Sequence, residues 1–116
     1  MKSKLTAGAI MVSIAATAVL FTAGPAHAAD GAAAEKLARQ EGCLRCHGID
    51  RGKDGPSYKS ISEKNKGKAD AEARLIKHLS TGHKVKFEDG HEEDHKIPKT
   101  KDAAQITNLV QWILSL

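Results

Sequence analysis

Two cysteines stand three residues apart, with a histidine directly after the second: Cys43-Leu44-Arg45-Cys46-His47. On a turn of helix, residues three apart share a face. Two thiols placed so can each add to a vinyl group of one porphyrin, and the next imidazole then falls beneath the ring, within reach of the iron. C-x-x-C-H is the attachment pattern of c-type haem. Other uses of a cysteine pair fit poorly. A thioredoxin-like redox pair needs βαβ surroundings, and no strand pattern flanks this one. A structural zinc site needs a second ligand pair at set spacing, yet the chain has only 2 cysteines. A disulfide between residues so near would close almost no loop and stabilise little. The expectation is one covalent haem c, bound through Cys43 and Cys46 and ligated by His47.

The segments that must position this turn read as helices. Ala32 to Gly42 is rich in helix formers, with Ala34, Leu37 and Ala38 along one face and Gly42 as its stop. Gly48 to Pro56 is a loop by composition, and Tyr58 to Glu63 makes one or two turns of helix. Asp70 caps a helix carrying Leu75, Ile76 and Leu79, which Gly82 ends. His83 to Lys101 is long and charged, without clear periodicity. Asp102 and Gln105 have capping-box spacing before a last helix with Ile106, Leu109, Val110, Ile113 and Leu114 on its apolar face. This order predicts an all-α fold, a single small domain of about four helices wrapped around one haem.

The chain starts with Met1-Lys2-Ser3-Lys4, an apolar run to about Ala23, and then Ala26-His27-Ala28. A charged start, an apolar middle and an A-x-A ending predict a secretory signal peptide, residues 1–28, cleaved after Ala28. The alternative is an uncleaved anchor, since the run approaches spanning length. Residues 29–116 then form the domain, and the localisation is periplasmic with no stable membrane insertion. So short a domain buries a modest core, which a flat apolar porphyrin would complete. Of 18 Lys and Arg, two leave with the leader, so 16 face 14 Asp and Glu, a net of +2. That balance, with no basic stripe interleaved with aromatics, argues against nucleic acid as a partner.

Three segments together resemble the class I cytochromes c, most closely the small bacterial c551 type. They are Glu41 to Asp50 around the haem turn, Gly55-Pro56-Ser57-Tyr58-Lys59, and the C-terminal Leu109 to Ser115 with Trp112 as its aromatic. The resemblance implies that Pro56 offers its carbonyl to the second ring nitrogen of His47, orienting the imidazole. It implies that Trp112 packs where the first and last helices cross, near Leu37 and Ala38. The family normally places a methionine opposite the histidine, in the loop before the last helix. Here the 2 methionines are Met1 and Met11, both in the leader. The loop offers histidines instead. Measured back from Trp112, His95 falls near the family's methionine, with Pro98 soon after. His95 is therefore the expected distal ligand, giving bis-histidine iron. His91 is the second choice, although it lies among carboxylates. His78 and His83 would qualify only if their helix leaned over the haem, and an iron left open would bind O₂ or NO as a sensor or minor catalyst.

Lys84 and Lys86 could meet the haem propionates. The acidic run Glu88 to His95 reads as a solvated loop rather than a metal site. With two strong protein ligands the iron has no open position, which points to one-electron transfer rather than enzyme catalysis. Imidazole in place of thioether should lower the potential. The expected partners are other periplasmic redox proteins, such as multihaem cytochromes, a quinol oxidase complex or a terminal reductase.

Overall fold

The computed structural model describes residues 28–116. The expected leader thus lies outside the described residues except for Ala28. The elements are α1 (Gly31–Gln40), a 3-10 turn (Cys43–Arg45), α2 (Tyr58–Asn65), α3 (Ala71–Ser80), β1 (Lys84–Lys86), β2 (Glu92–Asp94) and α4 (Ala103–Leu114). Among the described residues no helix is long and apolar enough to cross a membrane.

Helix α4 is the beam of the structure, and α1, α2 and α3 all pack on it. Its Leu109, Val110, Trp112 and Ile113 are buried, as are Ala34, Leu37 and Ala38 of α1. Small residues on α1 allow a close crossing. A β-carbon on Gly31 would lie 3.2 Å from the Trp112 indole. The start of α1 is fixed twice. Asp30 accepts a hydrogen bond from the Ala33 amide at 3.0 Å. Asn108 of α4 accepts from the Asp30 amide at 2.8 Å and donates to the Asp30 carbonyl at 2.9 Å. Gly42, at φ +73°, ends the α1 segment and turns the chain into the cysteine motif. Helix α2 is tied to the end of α4 by Ser62 Oγ, which donates to the Leu114 carbonyl at 2.9 Å.

Local chemistry departs from expectation at two helix starts. Asp70 stands at the start of α3 but makes no side-chain cap there. Its carboxylate instead accepts from Arg74 at 2.9 Å. Helix α3 stops at Ser80 with Thr81 as its cap, so Gly82 stands just past its end, as expected. Ser80 Oγ donates to the Lys77 carbonyl at 2.8 Å, which satisfies one exposed carbonyl of the last turn. At α4, Asp102 caps the Ala104 amide at 2.9 Å, but Gln105 does not reach back to the Asp102 amide. The Thr100 hydroxyl stands between them, accepting from the Asp102 amide at 3.2 Å and donating to Gln105 at 2.9 Å.

The larger correction concerns the segment expected to be irregular. Strands β1 and β2 form an antiparallel hairpin with Lys84 opposite Asp94, Val85 opposite Glu93 and Lys86 opposite Glu92. The fold is therefore four helices plus a two-stranded ribbon. At the tip the Phe87 amide donates to His91 at 2.9 Å and the Gly90 amide to Phe87 at 3.0 Å. Gly90 has φ +90°, the left-handed position that closes a three-residue hairpin loop.

Candidate haem site

The cysteine motif is one tight turn. The amides of Cys46 and His47 both donate to the Cys43 carbonyl, at 3.2 and 3.0 Å. Both thiols are free of any disulfide. They open on one cavity with His47, Tyr58, Leu79 and His95, of about 480 Å³ and with mostly apolar walls. That volume suits a large flat cofactor. Burial pushes the Cys43 thiol up from its ordinary value, with Tyr58 opposing the shift.

The loop after the motif folds back to hold the histidine. The Gly55 amide donates to the Cys46 carbonyl at 2.8 Å, and the Tyr58 amide to Gly48 at 2.9 Å. His47 Nδ1 donates to the Pro56 carbonyl at 2.7 Å, as the resemblance implied. A proton fixed on Nδ1 leaves the Nε2 lone pair for a metal and sets the ring plane. Glycines make room for this. A β-carbon on Gly55 would sit 2.8 Å from His47 Cε1, and one on Gly48 2.0 Å from the Arg51 carbonyl oxygen. Tyr58, 3% exposed, stacks on His47 with ring centres 5.6 Å apart and meets Trp112 edge-on at 5.7 Å. It joins the proximal imidazole to the core. Burial and the neighbouring Cys43 hold its phenol well above the usual range.

Across the cavity stands His95, its ring centre 6.1 Å from that of His47. An imidazole nitrogen binds a metal at about 2 Å, so two rings facing one ion along a line have centres roughly 6 Å apart. The spacing of the pair leaves room for one metal ion between them. His95 Nδ1 is buried and has no hydrogen-bond partner among the described residues. Burial, followed by the nearness of His78, His83 and His47, lowers its pKa to about 4. At neutral pH its ring is thus uncharged, the form that binds metals.

His95 is not alone on its side of the cavity. His78 and His83 line the same cavity, and one ligand atom from each of His78, His83 and His95 lies within 4.8 Å of the others. His78 is brought in by the last turn of α3, which does face the cavity. Burial, then the nearby His83 and His47, lowers its pKa. His91, the second choice, is not among the residues lining the cavity. By strand alternation it shares a face with His95, but it sits four residues toward the hairpin tip, roughly 13 Å along the strand. There it stacks on Phe87 and pairs with Asp89 and Glu93. Those carboxylates, Asp89 foremost, raise its pKa. Lys84, considered for the propionates, pairs with Asp94 at 2.7 Å.

Known proteins agree with this architecture. The family model "Cytochrome c" matches residues 31–116. A cytochrome c2 from Rhodocyclus tenuis is 35% identical over 83 residues, spanning 69% of this chain and 88% of the relative. A cytochrome c-551 from Pseudomonas aeruginosa is 33% identical over 108 residues, spanning 90% of this chain and 93% of the relative. Among solved structures, the class 1 cytochrome MtoD from Sideroxydans lithotrophicus ES-1 superposes with a TM-score of 0.71 at 56% identity, over 76% of this chain and 97% of that one. Matches of this length, converging on a C-x-x-C-H turn in a four-helix frame, make the chain a member of the cytochrome c family: a class I, monohaem electron carrier with one covalent haem c.

Proposed function

We propose that this protein is a periplasmic one-electron carrier whose haem is bound through Cys43 and Cys46 and whose iron is held between His47 and His95. The observation that carries this reading is the 6.1 Å separation of the two imidazoles, in a chain whose methionines are confined to positions 1 and 11. When bound, the haem supplies a metal that exchanges one electron between its ferric and ferrous states. The chain's residues determine how easily. Pro56 keeps the proton on His47 Nδ1 and so fixes the ring that donates to the metal. Tyr58 stands between that ring and Trp112 and braces it on the core, which limits movement on the proximal side. His95 closes the opposite face to small molecules. Two nitrogen donors favour the ferric ion more than a nitrogen and a thioether do, so the potential lies below that of His/Met relatives.

The periplasmic location rests on the A-x-A leader reading of residues 1–28. The partners fitting a carrier of this size are other periplasmic redox proteins, multihaem cytochromes or a membrane quinol oxidase or terminal reductase, met through small transient contacts. Low-temperature EPR of the oxidised holoprotein tests the ligation. The g-values of a two-imidazole low-spin haem are expected, together with a midpoint potential below His/Met relatives in a redox titration. A high-spin signal, or rapid CO binding by the reduced protein, would replace this reading with that of a ligand-binding haem protein.

A further inference from the structure

We propose that His83 is a second distal ligand, able to take the iron in place of His95 while coordination by two imidazoles is kept. The inference rests on the His47/His95 reading above and adds a residue to it. The hairpin register carries it. Lys84 pairs with Asp94, so one step further from the tip His83 stands opposite His95. The His95 amide donates to the His83 carbonyl at 2.8 Å, which continues the ladder through this pair. Residues directly opposite in an antiparallel pair project to the same face. Their rings accordingly stack, with centres 4.8 Å apart and planes 15° from parallel. One ribbon therefore carries two imidazoles to one cavity, side by side.

The two rings are not equally prepared. His83 Nδ1 lies 3.2 Å from the Thr81 carbonyl, to which it donates. That is the device seen at His47 and Pro56, and it leaves the Nε2 lone pair of His83 available to a metal. His95 has the better position across from His47, but its Nδ1 lacks a partner. Position favours one ring and orientation the other. The ligand atoms of the cluster lie within 4.8 Å of one another, so a rocking of the ribbon suffices to exchange them. His78 moves only with α3, which packs on α4, and so does not share that freedom. The exchange breaks the coordinate bond from the His95 ring and forms one from His83 Nε2. The iron keeps its oxidation state and no proton is transferred.

The experiment uses the holoprotein with haem attached, compared as wild type, His83→Ala, His95→Ala and the double variant, by EPR and by CO binding to the reduced form. His95→Leu, which fills the volume of the ring, replaces His95→Ala should the latter fail to fold. The expected result is two-imidazole, CO-resistant iron in the wild type and in both single variants, and high-spin, CO-binding iron in the double variant. High-spin iron in the His95 variant alone overturns the role of His83 and leaves His47/His95 ligation standing. Low-spin iron surviving in the double variant also overturns it, since another residue would then be the substitute. A wild type lacking the two-imidazole signature removes the His47/His95 reading, and this proposal with it.

Discussion

The two sides of the cavity are built on opposite plans. On the proximal side, each part of the His47 environment is fixed by something local. The Cys43 carbonyl closes the turn, Pro56 holds the ring nitrogen, Gly55 leaves just enough space, and Tyr58 covers the ring from the core. On the distal side an exposed ribbon, with Lys84 and Asp94 paired in solvent, presents His83 and His95 beside His78 of α3, and the His95 Nδ1 has no partner among the described residues. One side prepares a single imidazole, and the other brings three together. The lesson is that a haem site can be rigid on the side that attaches it and adaptable on the side that tunes it.

Three substitutions or titrations should sharpen this contrast. The largest effect is expected at Tyr58→Ala, which removes the stack on His47 and the edge contact to Trp112. A buried aromatic cut to alanine costs ~3–5 kcal/mol, so thermal or denaturant unfolding should show a loss of that size. A loss below ~1 kcal/mol would mean that the proximal ring is not braced by the core. Next is Gly55→Ala. The new methyl would stand 2.8 Å from His47 Cε1, and the ring cannot yield without straining its bond to Pro56. Overpacking of this kind costs ~1–3 kcal/mol, and the midpoint potential should shift as the ring is displaced. An unchanged potential and stability would show that His47 is looser than its hydrogen bond implies.

The smallest effect is expected at the hairpin tip, where His91 and Asp89 are exposed. The pKa of His91 is raised, chiefly by its hydrogen bond to Asp89, so its share of the pairing is whole at pH below its unfolded value and is lost as pH rises through the raised one. Asp89 is lowered, chiefly by hydrogen bonds from His91, so its share is lost as pH falls through that depressed value. Between these limits the pair is intact. An NMR titration should follow both groups at the tip while the haem spectrum stays unchanged, and His91→Ala should leave the iron low-spin. A spectral change on titrating His91 would couple the tip to the iron and show that the two ends of the ribbon act as one.

The proximal side was legible in the sequence because its determinants are short-range. A five-residue motif, a glycine-proline pair and an aromatic act within a span of 16 residues, from Cys43 to Tyr58. The apolar faces of α1 and α4 were legible for the same reason, since helical period repeats within each segment. The distal side depends on pairing across a loop. Strands of three residues, all exposed but Val85, carry almost no alternation to read. A signal was nevertheless present. Asp89-Gly90 is a strong hairpin dipeptide, and the three-residue loop from Glu88 to Gly90 that contains it sets His83 against His95. Distance from that turn, rather than membership of the loop, puts His91 at the tip and His83 and His95 at the cavity. The Thr100 relay at α4 was hidden for another reason. A hydroxyl two residues before the cap can intercept a capping box, and residue types alone do not say which bond wins.

The paired bonds between Asn108 and the backbone of Asp30 have a mechanical consequence. A tether attached ahead of residue 29 would transmit its pull into α4 through both bonds at once, so they would share the load instead of failing in succession. Helix α1 should therefore resist being peeled away from its N-terminal end. When the molecule is stretched in a force spectrometer from that point, the first rupture should be a single abrupt event that Asn108→Ala brings to lower force.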